Sequence, residues 1–368
     1  MNEIDLTKKL IKIESTNPGS YEKEVFSPIK KILLDNNINF KNYNLHIDRP
    51  NLVFKIGNSK NKDNILFIGH LDTVPLGKKK WKYDPLSAKS IDNKIYGRGS
   101  TDMKSGIASM LSAVIEKKNH SFKKRNLIMA IVSGEETGCE GSLLLSQKLK
   151  KEKISMIVCA EPTNNYPVLG HKGVLWLDVK VEGKSAHGSS PELGLNSIYC
   201  SMDAINKLRN IKFKFKNKYF SKSTISIGRL NSGENINTVP DLANFSIDIR
   251  TIGPNYLYKN IINKTLNQRN IRIKDIVNLD MVFNETWKKN INLKTINQIC
   301  SIIKKEFVPT FANYFTDIAP FQKGFNKPFN LILGPGDITK AHQTDEYVDI
   351  NKVKQSKELY KFLINVYC

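Results

Sequence analysis

The stretch NILFIGHLDTVP, at 64–75, carries an apolar run straight into His70, Asp72 and a proline. In an extended chain residues i and i+2 share a face, so this imidazole and this carboxylate point the same way. A lone H-x-D more often ends a strand as polar punctuation than it binds anything. This one has company. NLIMAIVS leads into SGEETG with Glu135 and Glu136, MIVCA into AEPT with Glu161, and NLILG into GPGDITKAHQTDEY with His342. A further carboxylate, Asp102, sits in GRGSTDMKSG. Any one of these alone reads as a capped loop or a solvated side chain. Four independent strand ends delivering His, Glu-Glu, Glu and His read as a metal centre. Imidazoles and carboxylates without thiolate suit zinc, cobalt or manganese. There are enough groups for two ions if one carboxylate bridges, and two ions about 3.5–4 Å apart activate a water and polarise a carbonyl. A neighbouring carboxylate that binds no metal can then take the proton. Adjacent glutamates suit that division of labour.

The elements that must position these residues follow from pattern. The four apolar runs read as strands buried on both faces, as in a mostly parallel sheet covered by helices. DMKSGIASMLSAVIEKK and GCEGSLLLSQKLKKEK between them carry helical spacing. Such alternation predicts an α/β domain, with its site outside the carboxyl ends of the strands. The middle of the chain has another rhythm. VLWLDVKVEG, STISIGRL and ANFSIDIR alternate apolar and polar residues, as half-exposed antiparallel strands do, and helical stretches at 195–210 and 255–268 follow the first and third. The order β-α-β-β-α-β predicts a ferredoxin-like α+β insert. The expected division is a metal-binding α/β domain at 1–170 and 282–368, with the insert at 171–281.

Composition narrows the class. The 368 residues are enough for a large core in two domains, and 40% hydrophobic with 25% charged residues is ordinary for a soluble globular protein. No apolar run is long enough to span a membrane, so no membrane partner is expected. The opening MNEIDLTKKLIKIEST reads as an amphipathic helix, not a signal peptide. The cysteines, Cys139, Cys159, Cys200, Cys300 and Cys368, are scattered and form no C-x-x-C. They suit a reducing, cytoplasmic location and argue against a disulfide framework or a thiolate metal site. Lys plus Arg outnumber Asp plus Glu by 57 to 35, a net charge of +22. That charge could draw nucleic acid, yet Lys and Asn are dense throughout and no arm, aromatic RNA-binding motif or zinc finger concentrates it. The reading is compositional drift, with no nucleic-acid partner.

The ordered set GHLDTVP, GRGSTDMKSG, SGEETG, AEPT, HKG, GKSAHGS, NTVP and GPGDITKAHQTDEY resembles the zinc amidohydrolases. That family includes acetylornithine deacetylase, succinyl-diaminopimelate desuccinylase, aminoacylase and carboxypeptidase G. The resemblance implies two divalent ions per subunit, with zinc first and cobalt or manganese as alternatives. It makes Asp102 the bridge, His70 and Glu161 the remaining ligands of one ion, and Glu136 and His342 those of the other. Glu135 would be the general base, and Asp72 would orient His70 and fix its tautomer. The insert would be a lid and dimerisation domain in a homodimer, with His187 reaching the partner's active site. Arg250, Asn237 and His171 would meet the substrate. Bland alternatives stand beside three of these: a strand-end salt bridge for Arg250, a structural loop histidine for His171, and a solvated loop residue or helix cap for His187. The expected reaction cleaves the acyl amide of an N-acylated amino acid. YFTDIAPF resembles the acetylornithine branch, while the arginines of the succinyl branch are missing near 317–320 and at Lys172. Succinyl-diaminopimelate is therefore the second substrate, and a dipeptidase or carboxypeptidase is the enzymatic rival. A metal-free binding protein on a decayed scaffold is the non-enzyme reading, opposed by the filled ligand positions.

Overall fold

A computed structural model describes residues 2–60 and 63–368. The chain divides into two units, 1–170 with 283–310 and 316–368, and 171–282 with 311–315. The short return of 311–315 to the second unit has no counterpart in the sequence pattern.

In the first unit, six consecutive strands of the central sheet run in the order Phe40–His46, Arg49–Ile56, Asn126–Val132, Asp63–His70, Lys153–Cys159, Phe329–Ile332. The last four are mutually parallel, and the first two form an antiparallel hairpin on one side. Every residue of Asp63–His70 and of Asn126–Val132 is buried, which is why those runs are apolar without alternation. The hairpin went unread in the sequence because Phe40–His46 buries none of its residues fully and Arg49–Ile56 carries a proline.

Helix Lys104–Glu116 is buried along almost its whole length. Two glycines let it approach the strand ends: a Cβ on Gly106 would lie 2.3 Å from the Ala160 carbonyl oxygen, and one on Gly69 2.4 Å from Met103 Cε. Helix Ile350–Tyr367 is capped by Asp349, which accepts from the Asn351 and Lys352 N–H groups. Its Tyr360 ring packs 5.8 Å from Phe67, in the middle of the sheet. The register then aligns the site. His70 lies opposite Val132, and Ile68 lies opposite Cys159, so Glu161, two residues on, comes level with His70.

The second unit is a four-stranded antiparallel sheet in the order Thr224–Ser232, Leu242–Thr251, Gly173–Glu182, Ile271–Leu279. Numbered along the chain that order is 2-3-1-4, the ferredoxin-like arrangement, with helices Ser197–Arg209 and Asn255–Thr265 as its crossovers. Alternate residues Leu175, Leu177, Val179 and Val181 join Phe245, Ile247, Ile249, Tyr258 and Ile262 in one core. Trp176, Asp178 and Lys180 fall outside that core, on the other face. Between the first helix and the next strand, Phe213 and Phe215 pack against Tyr258 while Lys212, Lys214 and Lys216 stay exposed. Part of the positive charge is thus the solvent side of a segment anchored by its aromatics.

Candidate metal centre and active site

The sheet of the first unit carries seven of the residues singled out from sequence to one place. His70 ends its strand with its side chain fully buried, and Nε2 lies 3.3 Å from Asp102 Oδ1, 3.5 Å from Glu161 Oε1 and 3.9 Å from Glu135 Oε2. His342 Nε2 lies 3.3 Å from Asp102 Oδ2 and 3.0 Å from Glu136 Oε1. Asp102 therefore turns one oxygen to each imidazole. The two poles differ in exposure: the His342 side chain is 51% exposed, whereas that of His70 is sealed.

Asp72 acts differently from a simple partner of the imidazole. His70 Nδ1 lies 3.0 Å from the Asp72 main-chain carbonyl, and the carboxylate is at 3.5 Å. A carbonyl only accepts, so Nδ1 carries the proton and Nε2 is free to face Asp102 and Glu161. The carboxylate itself organises the next loop. Its Oδ1 accepts from the Gly134 N–H at 2.9 Å and the Glu135 N–H at 3.2 Å, and Oδ2 accepts from the Glu136 N–H at 3.0 Å. Burial opposes ionisation of Asp72, but the His70 imidazole and the Glu136 and Glu135 N–H groups hold it below the ordinary carboxylate range.

Electrostatics shows what this cluster lacks. Burial, with the Asp102 charge beside it, pushes Glu161 up to about 8. Burial likewise raises Glu136, with Asp102 again the next cause, and lifts Glu135 well above the carboxylate range, with Glu161 and Glu136 adding to it. His342 is drawn up to about 11 by Asp102 and Glu136 against the opposing effect of burial. Burial opposes ionisation of Asp102, but the His342 and His70 imidazoles beside it hold the carboxyl well below its usual range. Five carboxylates packed this closely are short of positive charge. Among the described residues, the buried atoms His70 Nε2, Asp102 Oδ1 and Glu161 Oε1 also find no hydrogen-bond partner. Buried polar atoms of that kind require an explanation. A divalent cation at their common focus supplies both the missing partner and the missing charge, so the donor set fits metal. Two overlapping triads have the required proximity, His70 with Glu135 and Glu161, and His70 with Asp102 and Glu136.

The other four residues singled out lie in the second unit. His187 is exposed; its Nδ1 accepts from the Ser189 N–H at 3.2 Å, which leaves the proton on Nε2. Asn237 is exposed beside it, its carbonyl accepting from the Gly188 N–H at 2.7 Å. Arg250 donates through Nε and Nη2 to Asp248 and stacks 5.2 Å over the Phe315 ring. His171 is buried, with Nδ1 donating to the Lys172 carbonyl at 2.7 Å, and burial lowers it to about 4.

Sequence reading passed over three residues around the first-unit site. Asp317 is fully buried, takes the Ser142 hydroxyl at 2.7 Å, and is raised to about 6 by burial. Arg98 and Glu346 form a buried ion pair at 2.7 Å. Both belong to quoted motifs, GRGSTD and HQTDEY, but a charged residue in a loop carries no local sign of burial.

The signature of peptidase family M20/M25/M40 matches residues 66–366. Acetylornithine deacetylase of Buchnera aphidicola subsp. Schizaphis graminum is 32% identical over 392 residues, covering 99% of this chain and 98% of that protein. A Staphylococcus epidermidis protein named "Probable succinyl-diaminopimelate desuccinylase" is 28% identical over 402 residues, covering 100% and 96%. Among solved structures, the M20 family metallo-carboxypeptidase Sso-CP2 of Sulfolobus solfataricus superposes with a TM-score of 0.81 at 16% identity, covering 100% of this chain and 99% of that one. A dinuclear metal binding peptidase of the same family from Bacillus subtilis gives 0.70 at 14% identity, covering 99% and 96%. An α/β sheet with carboxylates and imidazoles at its strand ends, a ferredoxin-like second unit and a likeness running the length of the chain have one common source: this chain belongs to peptidase family M20/M25/M40 and is a metal-dependent hydrolase.

Proposed function

We propose that the protein is a zinc-dependent amidohydrolase that removes the acyl group from an N-acylated amino acid, with acetylornithine as first substrate. The observation that carries this reading is the pair of oxygens that Asp102 turns to His70 and His342, each at 3.3 Å, with Glu135 beside them. His70 and Glu161 would hold one ion, Glu136 and His342 the other, and Asp102 both. When bound, two such ions polarise the amide carbonyl and acidify the attacking water. Glu135 takes the proton from that water and delivers it to the leaving nitrogen. Burial, with Glu161 and Glu136 nearby, raises the proton affinity of Glu135, which suits a group that must take up a proton and pass it on. Asp72 keeps the His70 tautomer and the 134–136 turn in place during the exchange.

The acetyl group is favoured over succinyl by two points. Relatives named acetylornithine deacetylase stand at 28–32% identity along nearly the full chain. In addition, position 172, where the succinyl branch carries an arginine, holds a lysine whose Nζ donates to the Lys222 carbonyl at 2.7 Å and which lacks the planar fork that grips a carboxylate. The desuccinylase reading keeps second place because a relative of that name matches the whole chain. A competition assay offering acetylornithine, succinyl-diaminopimelate and several dipeptides to zinc-loaded protein should show turnover of acetylornithine at least tenfold above the others. Preference for succinyl-diaminopimelate or a dipeptide would move the assignment within the family.

We also propose a cytoplasmic homodimer joined through the second unit, with His187 acting in the partner's site. Strand Thr224–Ser232 is an edge of its sheet, and Leu193, Tyr199 and Met202 are 65%, 67% and 52% exposed nearby in sequence. A donor aimed at a developing oxyanion adds to what metal supplies, and the exposed His187 ring carries a proton on Nε2. His187→Ala is expected to keep its metal and fold but lose most turnover. Mixed with Glu135→Gln subunits it should recover activity, because one site of the mixed dimer has both groups. Proven subunit exchange without recovery rules out the role in trans.

A further inference from the structure

We propose that Arg98 and Glu346 form a clamp that sets the distance between the Asp102 and His342 loops and so governs binding of the ion on the His342 side. The proposal rests on the metal-centre reading above and adds positioning residues to it. Strands Lys94–Tyr96 and Tyr347–Asp349 pair antiparallel, and the chain leaves that short ladder toward Asp102 on one side and toward His342 on the other. Glu346 closes the junction. Its carbonyl accepts from the Gly97 N–H at 2.9 Å, and its side-chain Oε1 accepts from the Thr101 N–H at 2.8 Å and the Asp102 N–H at 3.1 Å. Oε2 receives Arg98 Nη1 at 2.7 Å. The same Nη1 reaches the Gln343 carbonyl at 3.3 Å, and Nη2 reaches the Pro75 carbonyl at 3.2 Å. One guanidinium and one carboxylate thereby join the three segments that carry His70, Asp102 and His342.

Energetics separates this role from plain stabilisation. Arg98 is 3% exposed and Glu346 1%. A buried ion pair of this kind is often no more stabilising than a well-packed apolar pair, because desolvation consumes the Coulombic gain. What an apolar pair cannot do is hold two main-chain N–H groups and two carbonyls at fixed distances. The loop it holds has an irregular backbone: His342 and Asp345 both lie in the left-handed region, φ 61° and 63°, uncommon for residues with a side chain even though His and Asp enter it more readily than most. His70 and Glu161 stand instead at or beside the ends of paired strands, where the sheet fixes them without the clamp.

The test is zinc binding, measured by equilibrium dialysis against a competing chelator, with thermal unfolding of the chelator-treated proteins alongside. Arg98→Met/Glu346→Leu, which removes both charges together, should unfold near the wild-type temperature and bind one zinc equivalent as the wild type does. Its second equivalent should be weaker by about 10–100-fold, the usual scale for losing a group that orients a ligand. Arg98→Met/Glu346→Gln keeps an oxygen for the Thr101 and Asp102 N–H groups without leaving a buried guanidinium unpaired, and should restore part of that loss. The clamp is refuted if Arg98→Met/Glu346→Leu binds both equivalents as tightly as the wild type. It is refuted equally if both weaken together with a large fall in unfolding temperature, the mark of a merely structural pair. A wild-type protein that takes up fewer than two equivalents overturns the metal-centre reading and the clamp with it.

Discussion

Asp102→Ala is expected to lose the two-ion centre outright, with turnover down by at least about 10²–10³-fold, the scale of losing one transition-state-stabilising group. Glu161 Oε1 approaches His70 and Glu136 Oε1 approaches His342, whereas Asp102 meets both imidazoles. Alanine leaves each pole one anionic oxygen poorer and removes the only shared charge among the donors described here. Metal analysis after gel filtration, paired with turnover, checks this. Two tightly held ions and near-normal turnover in Asp102→Ala would show that nothing bridges at this position.

Glu135 and Glu136 are adjacent in sequence and should fail in different ways. Glu135→Gln keeps size and removes the proton acceptor, so turnover should fall by about 10²–10⁴-fold at unchanged metal content. Glu136→Gln should instead release the ion shared with His342, whose Nε2 it meets at 3.0 Å, and lose turnover as a consequence. The comparison decides a point that distance alone leaves open, since the Glu135 carboxylate stands as near to His70 and Glu161 as a ligand would. Loss of metal from Glu135→Gln would make it a ligand and move the base elsewhere. Asp317 is the candidate in that event, as a buried carboxylate whose charge adds to the upward shift of Glu135.

Much of this protein is written locally. The strand Asp63–His70 was visible because burial on both faces demands an uninterrupted apolar run, and His70 at its end breaks that run abruptly. The ferredoxin-like unit was visible because its sheet buries one face, leaving the two-residue alternation of Leu175, Leu177, Val179 and Val181. Other elements leave no such trace. Phe40–His46 is half-exposed on the sheet's flank and reads as a polar loop until the partner strand Arg49–Ile56 is in place.

By itself, the sequence showed which side chains have the chemistry to bind metal and that all of them but Asp102 follow an apolar strand run, since donor chemistry and burial are properties of single residues and short runs. The tertiary structure decided everything that depends on meeting. Through strand register it brought Glu161 level with His70 across 91 positions of chain, and it set the turn residue Asp102 between two imidazoles that are far apart in sequence. It turned the Asp72 carboxylate toward the 134–136 main chain and left its own carbonyl to fix the His70 tautomer. It paired Arg250 with Asp248, and Arg98 with a glutamate 248 residues away. A hydrogen bond or ion pair is decided within about 3–4 Å. Contacts at that scale between distant segments follow from how the sheets pair and the helices pack, which no local pattern encodes.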